Sequence, residues 1–127
     1  MNNNISLLDD ERIDEVNEDI KLIQKKHGLT FGSDAYLLAA YMKPQRSSVA
    51  AELGCGTGII SLLCASKNKF KYIHAFEIQE DFAKLTERNI ALNSLNDRIK
   101  CHCKDARDVT YLDTDKPSSP RRKAHQA

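Results

Sequence analysis

The sequence predicts an α/β fold: a partial parallel sheet with three recognisable strands, preceded by an N-terminal hairpin and helix. Strand-like runs "SVAAEL" (48–53), "KYIHAFEI" (71–78) and "DRIKCHCKD" (97–105) alternate with the helical segments "GIISLLCASK" (58–67) and "QEDFAKLTERNIALNSL" (79–95). A glycine turn, "ELGCGTGII" (52–60), joins the first of these strands to its helix. Consecutive β-α-β crossovers are right-handed, so the three strands run parallel in a Rossmann-like order.

Taken from the N-terminus, "ISLLDDERIDEVN" opens with a short apolar anchor and continues as a helix-prone acidic segment. "DIKLIQKKHGLTF" alternates through Ile20, Leu22, Leu29 and Phe31, which predicts two short strands joined by a turn at Gly28. In "SDAYLLAAYMK", Ser33 suits an N-cap and Asp34 the first turn. Leu37, Leu38 and Tyr41 form an apolar stripe, and Pro44 stops the helix. The long helix carries Phe82, Leu85, Ile90 and Leu92 on or near one face. After Leu112 no apolar periodicity remains. The chain thus divides into an N-terminal extension (1–47), a truncated Rossmann-like domain (48–112) and a disordered basic tail (113–127).

Composition excludes several classes. The chain has 127 residues, 41% hydrophobic and 29% charged, and no apolar run reaches a membrane span. Its acidic N-terminus lacks the layout of a signal peptide, which points to a cytoplasmic protein without a membrane partner. The net charge of +1 hides an asymmetry: without the four basic residues from Lys116 onward, 15 basic face 18 acidic residues. No overall basic field advertises nucleic acid, and the tail suits a solvated end better than an RNA contact. Cys55, Cys64, Cys101 and Cys103 are expected as reduced, buried thiols. "CHC" (101–103) lacks the second cysteine pair of a structural zinc site, and alternation puts His102 on the other strand face, so no metal site is expected.

Glycines at 54, 56 and 58 bare the backbone, expose its N–H groups and let a ligand lie against it. The run lacks the Gly-Lys-Ser/Thr of a phosphate-binding loop, and Ile59 stands where a dinucleotide fingerprint needs its third glycine. Glu52 disfavours a pyrophosphate by like charge and suits a cationic ligand such as S-adenosyl-L-methionine; the alternative is that it caps a turn or pairs with a lysine. Glu77, closing the second strand, suits a pair of ribose hydroxyls. Asp105 suits an adenine amino group, with the Ala106 N–H facing the ring. Three acids at the ends of three consecutive parallel strands share one crevice.

"ELGCGTGII", "FEIQEDFAKLTERNIALNSLNDRI" and "KDARDV" resemble motifs I to III of class I S-adenosylmethionine-dependent methyltransferases. "FGSDAYLLAAYM" is similar to the segment before motif I in bacterial enzymes that methylate the exocyclic amine of adenosine in tRNA(Val). The resemblance covers about residues 10 to 110 and implies tRNA as the substrate of the lineage. It also implies a cofactor-binding set of Asp34, Glu52, Gly54, Cys55, Gly56, Gly58, Glu77, Asp105 and Ala106. Within that set the turn surrounds the methionine part, Glu77 holds the ribose and Asp105 the adenine. Phe31 to Asp34 would close over the cofactor, with Asp34 near its amino group.

The family's Asn/Asp-Pro-Pro-Tyr/Phe motif, suited to orienting a flipped base, has no counterpart: Pro44, Pro117 and Pro120 include no adjacent pair. No catalytic residue is therefore assigned, and the sequence reads as the cofactor half of a methyltransferase, a catalytically incomplete fragment. Other amine acceptors (an rRNA guanine or a protein glutamine) and a non-catalytic S-adenosylmethionine-binding module stay open. In the family sheet order, 3-2-1-4-5-7-6, "SVAAEL" would lie beside a fourth strand. Without that strand it is expected to be an adhesive edge, to leave Ile59, Leu62 and Leu63 partly exposed, and to favour self-association.

Overall fold

The computed structural model describes residues 6–27, 33–105 and 107. Strands β1 (Glu11–Glu15) and β2 (Lys21–Lys25) form an antiparallel hairpin. Acids oppose lysines at both of its ends, Glu11 across from Lys25 and Glu15 across from Lys21. The acidic segment is therefore a strand and not the expected helix. The chain reverses over residues 16–20, where Asn17 Oδ1 accepts from the Asp19 and Ile20 amides at 2.8 and 2.9 Å. The turn expected at Gly28 and the strand expected at Leu29–Phe31 lie outside the described residues.

Helix α1 (Ser33–Tyr41) packs through its small face: Ala39 is buried, with Ala35 and Met42 partly buried beside it. The stripe read as its inner face points outward instead, with Leu37, Leu38 and Tyr41 exposed by 49, 54 and 82%. Small side chains let α1 approach α2 closely, which leaves the large ones no room there. The buried Lys69 ammonium donates to the carbonyls of Ala39, Ala40 and Met42 at 2.7, 2.8 and 2.7 Å. A cation thus satisfies the carbonyls that the end of α1 leaves open.

Strands β3 (Gln45–Leu53), β4 (Phe70–Phe76) and β5 (Ile99–His102) form a parallel sheet in the order β3-β4-β5. Helices α2 (Ile59–Ser66) and α3 (Glu80–Leu92) connect them. Both crossovers step in the same direction, so both helices cover one face. There Leu62, Cys64, Ile73, Ala75, Ile90 and Ile99 join one core. Asn68 and Ser94 take left-handed φ of 56° and 58°, and the bonds Lys69 N–H to Cys64 O and Leu95 N–H to Ile90 O close α2 and α3.

Ile59, Leu62 and Leu63 are buried, exposed by only 5, 0 and 3%, against the expectation of partial exposure. The sheet covers α2 from below and α1 covers its flank, and neither cover depends on a further strand beyond β3. The expected edge does exist: among the described residues β3 pairs only with β4. On the opposite sheet face Phe76 stacks on His102 at 4.7 Å, and His74 Nδ1 lies 2.9 Å from His102 Nε2. Among the described residues the fold is α/β with a three-stranded parallel sheet and an N-terminal hairpin, as the sequence implied.

Candidate functional site

The C-terminal ends of β3, β4 and β5 bring the glycine turn, Glu77 and Asp105 to one edge of the sheet, where α/β sheets of this kind bind ligands. The turn is left-handed at each glycine, with φ of 66°, 59° and 89° at Gly54, Gly56 and Gly58. Gly58 meets the tightest limit, since a Cβ there would lie 2.9 Å from Thr86 Cγ2. At Gly54 and Gly56 a Cβ would meet nothing within 4 Å, so the turn is bare toward open space.

Its amides, however, face inward. Gly54 and Cys55 N–H donate to the Phe76 carbonyl at 2.8 and 3.1 Å, Gly58 N–H to the Cys55 carbonyl at 2.8 Å, and Gly56 N–H to Glu77 Oε1 at 2.9 Å. The expectation that the turn displays these N–H groups is corrected here. These four amides are not offered to an anion, and the carbonyls of Cys55, Gly56, Thr57 and Gly58 are bonded internally as well, so the open Cα–H faces and the acids remain for a ligand.

Glu77 is buried, and its second oxygen accepts the Gln79 amide at 3.0 Å. It fastens the turn to the first residues beyond β4. Among the described residues Glu52 neither caps a turn nor pairs with a lysine: Oε1 accepts from the Ser61 hydroxyl at 2.5 Å. Burial raises its pKa, the Ser61 bond opposes this, and the Glu77 charge adds to the rise. Two acids beside one bare turn give a locally negative floor.

Cys55 is turned into the core, its Sγ 3.4 Å from Thr86 Oγ1, so only its backbone can border a ligand. Cys64 and Cys101 are also buried, but Cys103 is exposed, because β5 ends at His102 and the alternation stops there. Asp105 is engaged by Arg107, whose Nη2 donates at 2.6 Å and whose amide donates at 2.9 Å. Those bonds hold the carboxyl pKa down to about 2. Asp34 is exposed in the first turn of α1, with no side-chain bond to the glycine turn among the described residues. Ala106 and Phe31 lie outside the described residues.

Sequence reasoning passed over four residues here. Leu53 and Ile78 are large apolar side chains exposed by 65 and 64%, following Glu52 and Glu77 at the same sheet edge. A large apolar residue directly after each strand-end acid was the available signal. Thr86 and Asn89, wholly buried on α3, hold the back of the turn: Thr86 Oγ1 donates to the Gly56 carbonyl at 2.6 Å and Asn89 Nδ2 to the Thr57 carbonyl at 3.0 Å. Polar side chains on the apolar face of a helix were the signal for these.

A parallel α/β sheet with an acid-lined glycine turn at its strand ends defines a Rossmann-like α/β class of protein. The methyltransferase small domain family model matches residues 26–114, and the chain belongs to that family. The chain is 28% identical over 78 residues to the tRNA1(Val) (adenine(37)-N6)-methyltransferase of Vibrio cholerae, covering 61% of the chain and 32% of that enzyme. It is 35% identical over 85 residues to the ribosomal protein L11 methyltransferase of Ruminiclostridium cellulolyticum, covering 61% and 26%. The chain thus spans about a third of the length of such relatives. Among solved structures, P. horikoshii TYW2 in complex with MeSAdo shares the fold, with a TM-score of 0.67 at 24% identity over 81% of this chain and 39% of that one. Among the described residues no helix is long and apolar enough to cross a membrane.

Proposed function

We propose that this chain binds S-adenosyl-L-methionine at the glycine turn, as the cofactor-binding part of a cytoplasmic methyltransferase that acts on the exocyclic amine of adenosine in tRNA. The observation that carries the reading is the turn itself. It is open above Gly54 and Gly56, the amides of Gly54, Cys55, Gly56 and Gly58 are bonded internally, and two carboxylates lie beside it. That arrangement repels a pyrophosphate and accommodates a ligand that carries positive charge beside a nucleoside. The MeSAdo-bound structural neighbour and the methyltransferase family match support the same ligand class.

Bound there, the cofactor supplies an electrophilic methyl on a sulfonium. Glu52, with Gly54, Gly56 and Gly58, would face the methionine part, and the Cys55 backbone would border it. Glu77 keeps lone pairs beyond those used by Gly56 and Gln79, and these accept ribose hydroxyls. Ile78 offers an apolar wall to a flat base, Asp105 would meet its edge once Arg107 yields, and Ala106 is kept in the proposed set on the family resemblance alone. Asp34 approaches from α1. No side chain assigned here orients an acceptor amine, so this chain alone transfers no methyl group. The L11 relative favours a second reading, in which the same cofactor site serves a protein amine. The edge of β3 that has no partner strand among the described residues supports self-association or pairing with a complementing strand.

Calorimetry with S-adenosylmethionine and S-adenosylhomocysteine, and with NAD as control, tests the cofactor. Glu77→Ala is expected to weaken binding by about 1–3 kcal/mol, the cost of stranding hydrogen-bonded groups. Unchanged affinity removes Glu77 from the site, and tighter binding of NAD overturns the reading. Methyl incorporation into unmodified tRNA by this chain alone would show that the acceptor machinery is present after all.

A further inference from the structure

The hairpin precedes the residues that the family model matches, yet its bonds lead straight to the glycine turn. One edge of β2 faces α3. Lys21 N–H and C=O bond to Asn93 Oδ1 and Nδ2 at 2.9 and 2.8 Å, and Ile23 N–H and C=O bond to Asn89 Oδ1 and Nδ2 at 2.6 and 3.1 Å. The spacing explains the match. Two residues along a strand advance about 6.6 Å and four along a helix about 6 Å, so two asparagines at i and i+4 meet alternate residues of β2. The helix serves the strand as a neighbouring strand would.

Asn89 belongs to a second set of bonds. The amide that holds Ile23 also donates to the Thr57 carbonyl, while Thr86, one turn earlier on α3, holds the Gly56 carbonyl. With no exposed surface and three bonds, the Asn89 amide cannot shift toward the hairpin without shifting from the turn. On the outer flank of α3, Arg88 clamps Glu11 of β1 through two bonds of 2.8 Å. Ile23, Leu85 and Leu92 close the apolar contact between hairpin and helix.

We propose that docking of the β1–β2 hairpin on α3 is coupled through Asn89 to the geometry of the glycine turn, so that the hairpin regulates ligand affinity at the turn. Asn89 is here a positioning residue that touches no ligand. Coupling of this kind is reciprocal: a ligand that fixes the turn also tightens the hairpin. The part that concerns ligand rests on the S-adenosylmethionine reading above; the part that concerns the turn does not.

The test is amide hydrogen exchange on the full chain, paired with titration of S-adenosylhomocysteine. Asn93→Ala removes both side-chain bonds to Lys21 and one to the Asn89 backbone carbonyl, and none to the turn or to the Asn89 side chain. In the free chain it is expected to speed exchange at Ile23, and with it to speed exchange at Gly56 and Gly58 by at least ~5-fold, the lower end of ordinary coupling. Affinity for S-adenosylhomocysteine falls by a similar factor, and in the wild type saturating ligand slows exchange at Ile23. Glu11→Gln, which loosens the hairpin from the Arg88 side, gives the same pattern and covers the case in which Asn93→Ala fails to fold. Lys69→Met, which weakens α1 instead, leaves Gly56 and Gly58 protected, which separates coupling from general destabilisation. Faster exchange in the hairpin with unchanged Gly56 and Gly58 overturns the coupling. If the wild type binds no S-adenosylhomocysteine, the cofactor reading fails while turn exchange still decides the coupling.

Discussion

Replacing Gly58 by alanine probes the turn most directly. Its φ of 89° lies in the left-handed region, which costs a residue with a Cβ about 1–2 kcal/mol. The new Cβ would also sit 2.9 Å from Thr86 Cγ2. Thr86 cannot retreat easily: it is wholly buried and its hydroxyl is fixed to the Gly56 carbonyl at 2.6 Å. Overpacking of that kind adds about 1–3 kcal/mol, so a total near 3 kcal/mol is expected. For a domain of this size that lowers the melting temperature by more than ~10 °C. The informative variant is the double one. Thr86→Ser removes the offending methyl and keeps the hydroxyl, so Gly58→Ala should cost about 1–2 kcal/mol less in the Thr86→Ser background than in the wild type. Urea melts of the four proteins measure this. If the two costs add within ~0.5 kcal/mol, the clash does not exist and the packing argument fails.

Three other outcomes are expected. The Glu52 carboxyl has a folded pKa above its unfolded value, so its charged form opposes folding, and stability falls as pH rises from the unfolded value through the folded one. Glu52→Gln should therefore flatten that decline and raise stability at neutral pH, while weakening binding of a cationic ligand; melts across pH 4 to 8, with calorimetry, check both. Lys69→Met strands three carbonyls at the end of α1 and should cost about 2–4 kcal/mol, with helical signal lost before the main transition. Light scattering should show association that grows with concentration and is suppressed by Val49→Lys on the edge strand, whereas a monomer at all concentrations would contradict an adhesive β3.

The segment from β3 to β5 was legible because local signals agreed: glycines at a strand–helix junction, apolar periodicity on both sides, and acids at strand ends. What escaped notice depends on partners distant in sequence. "ERIDE" has poor strand propensity, and β1 forms because Arg88 neutralises the buried Glu11 and lysines of β2 face its ends. The Arg88 guanidinium holds the Glu11 carboxyl below its ordinary pKa. The face of α1 is not legible from hydrophobicity alone, because its large apolar side chains point outward and Ala35, Ala39 and Met42 make the contact. The direction of the turn amides depends on the Phe76 carbonyl and Glu77, which no local pattern in "ELGCGTGII" discloses.

The asparagine ladder also sets an order of events during synthesis. Ile23 waits for a partner 66 residues further along the chain, Lys21 for one 72 away, and Glu11 for one 77 away. At bacterial or eukaryotic elongation rates of about 5–20 residues per second, the Ile23 partner appears about 3–13 s after Ile23 itself. A two-stranded hairpin alone is marginal in water, so for that interval the first strands have little to hold them. The hairpin is made well before α3 and is secured only once α3 has followed it, so a chaperone or a nascent-chain modifying enzyme would have its access to Lys21 and Ile23 in that interval.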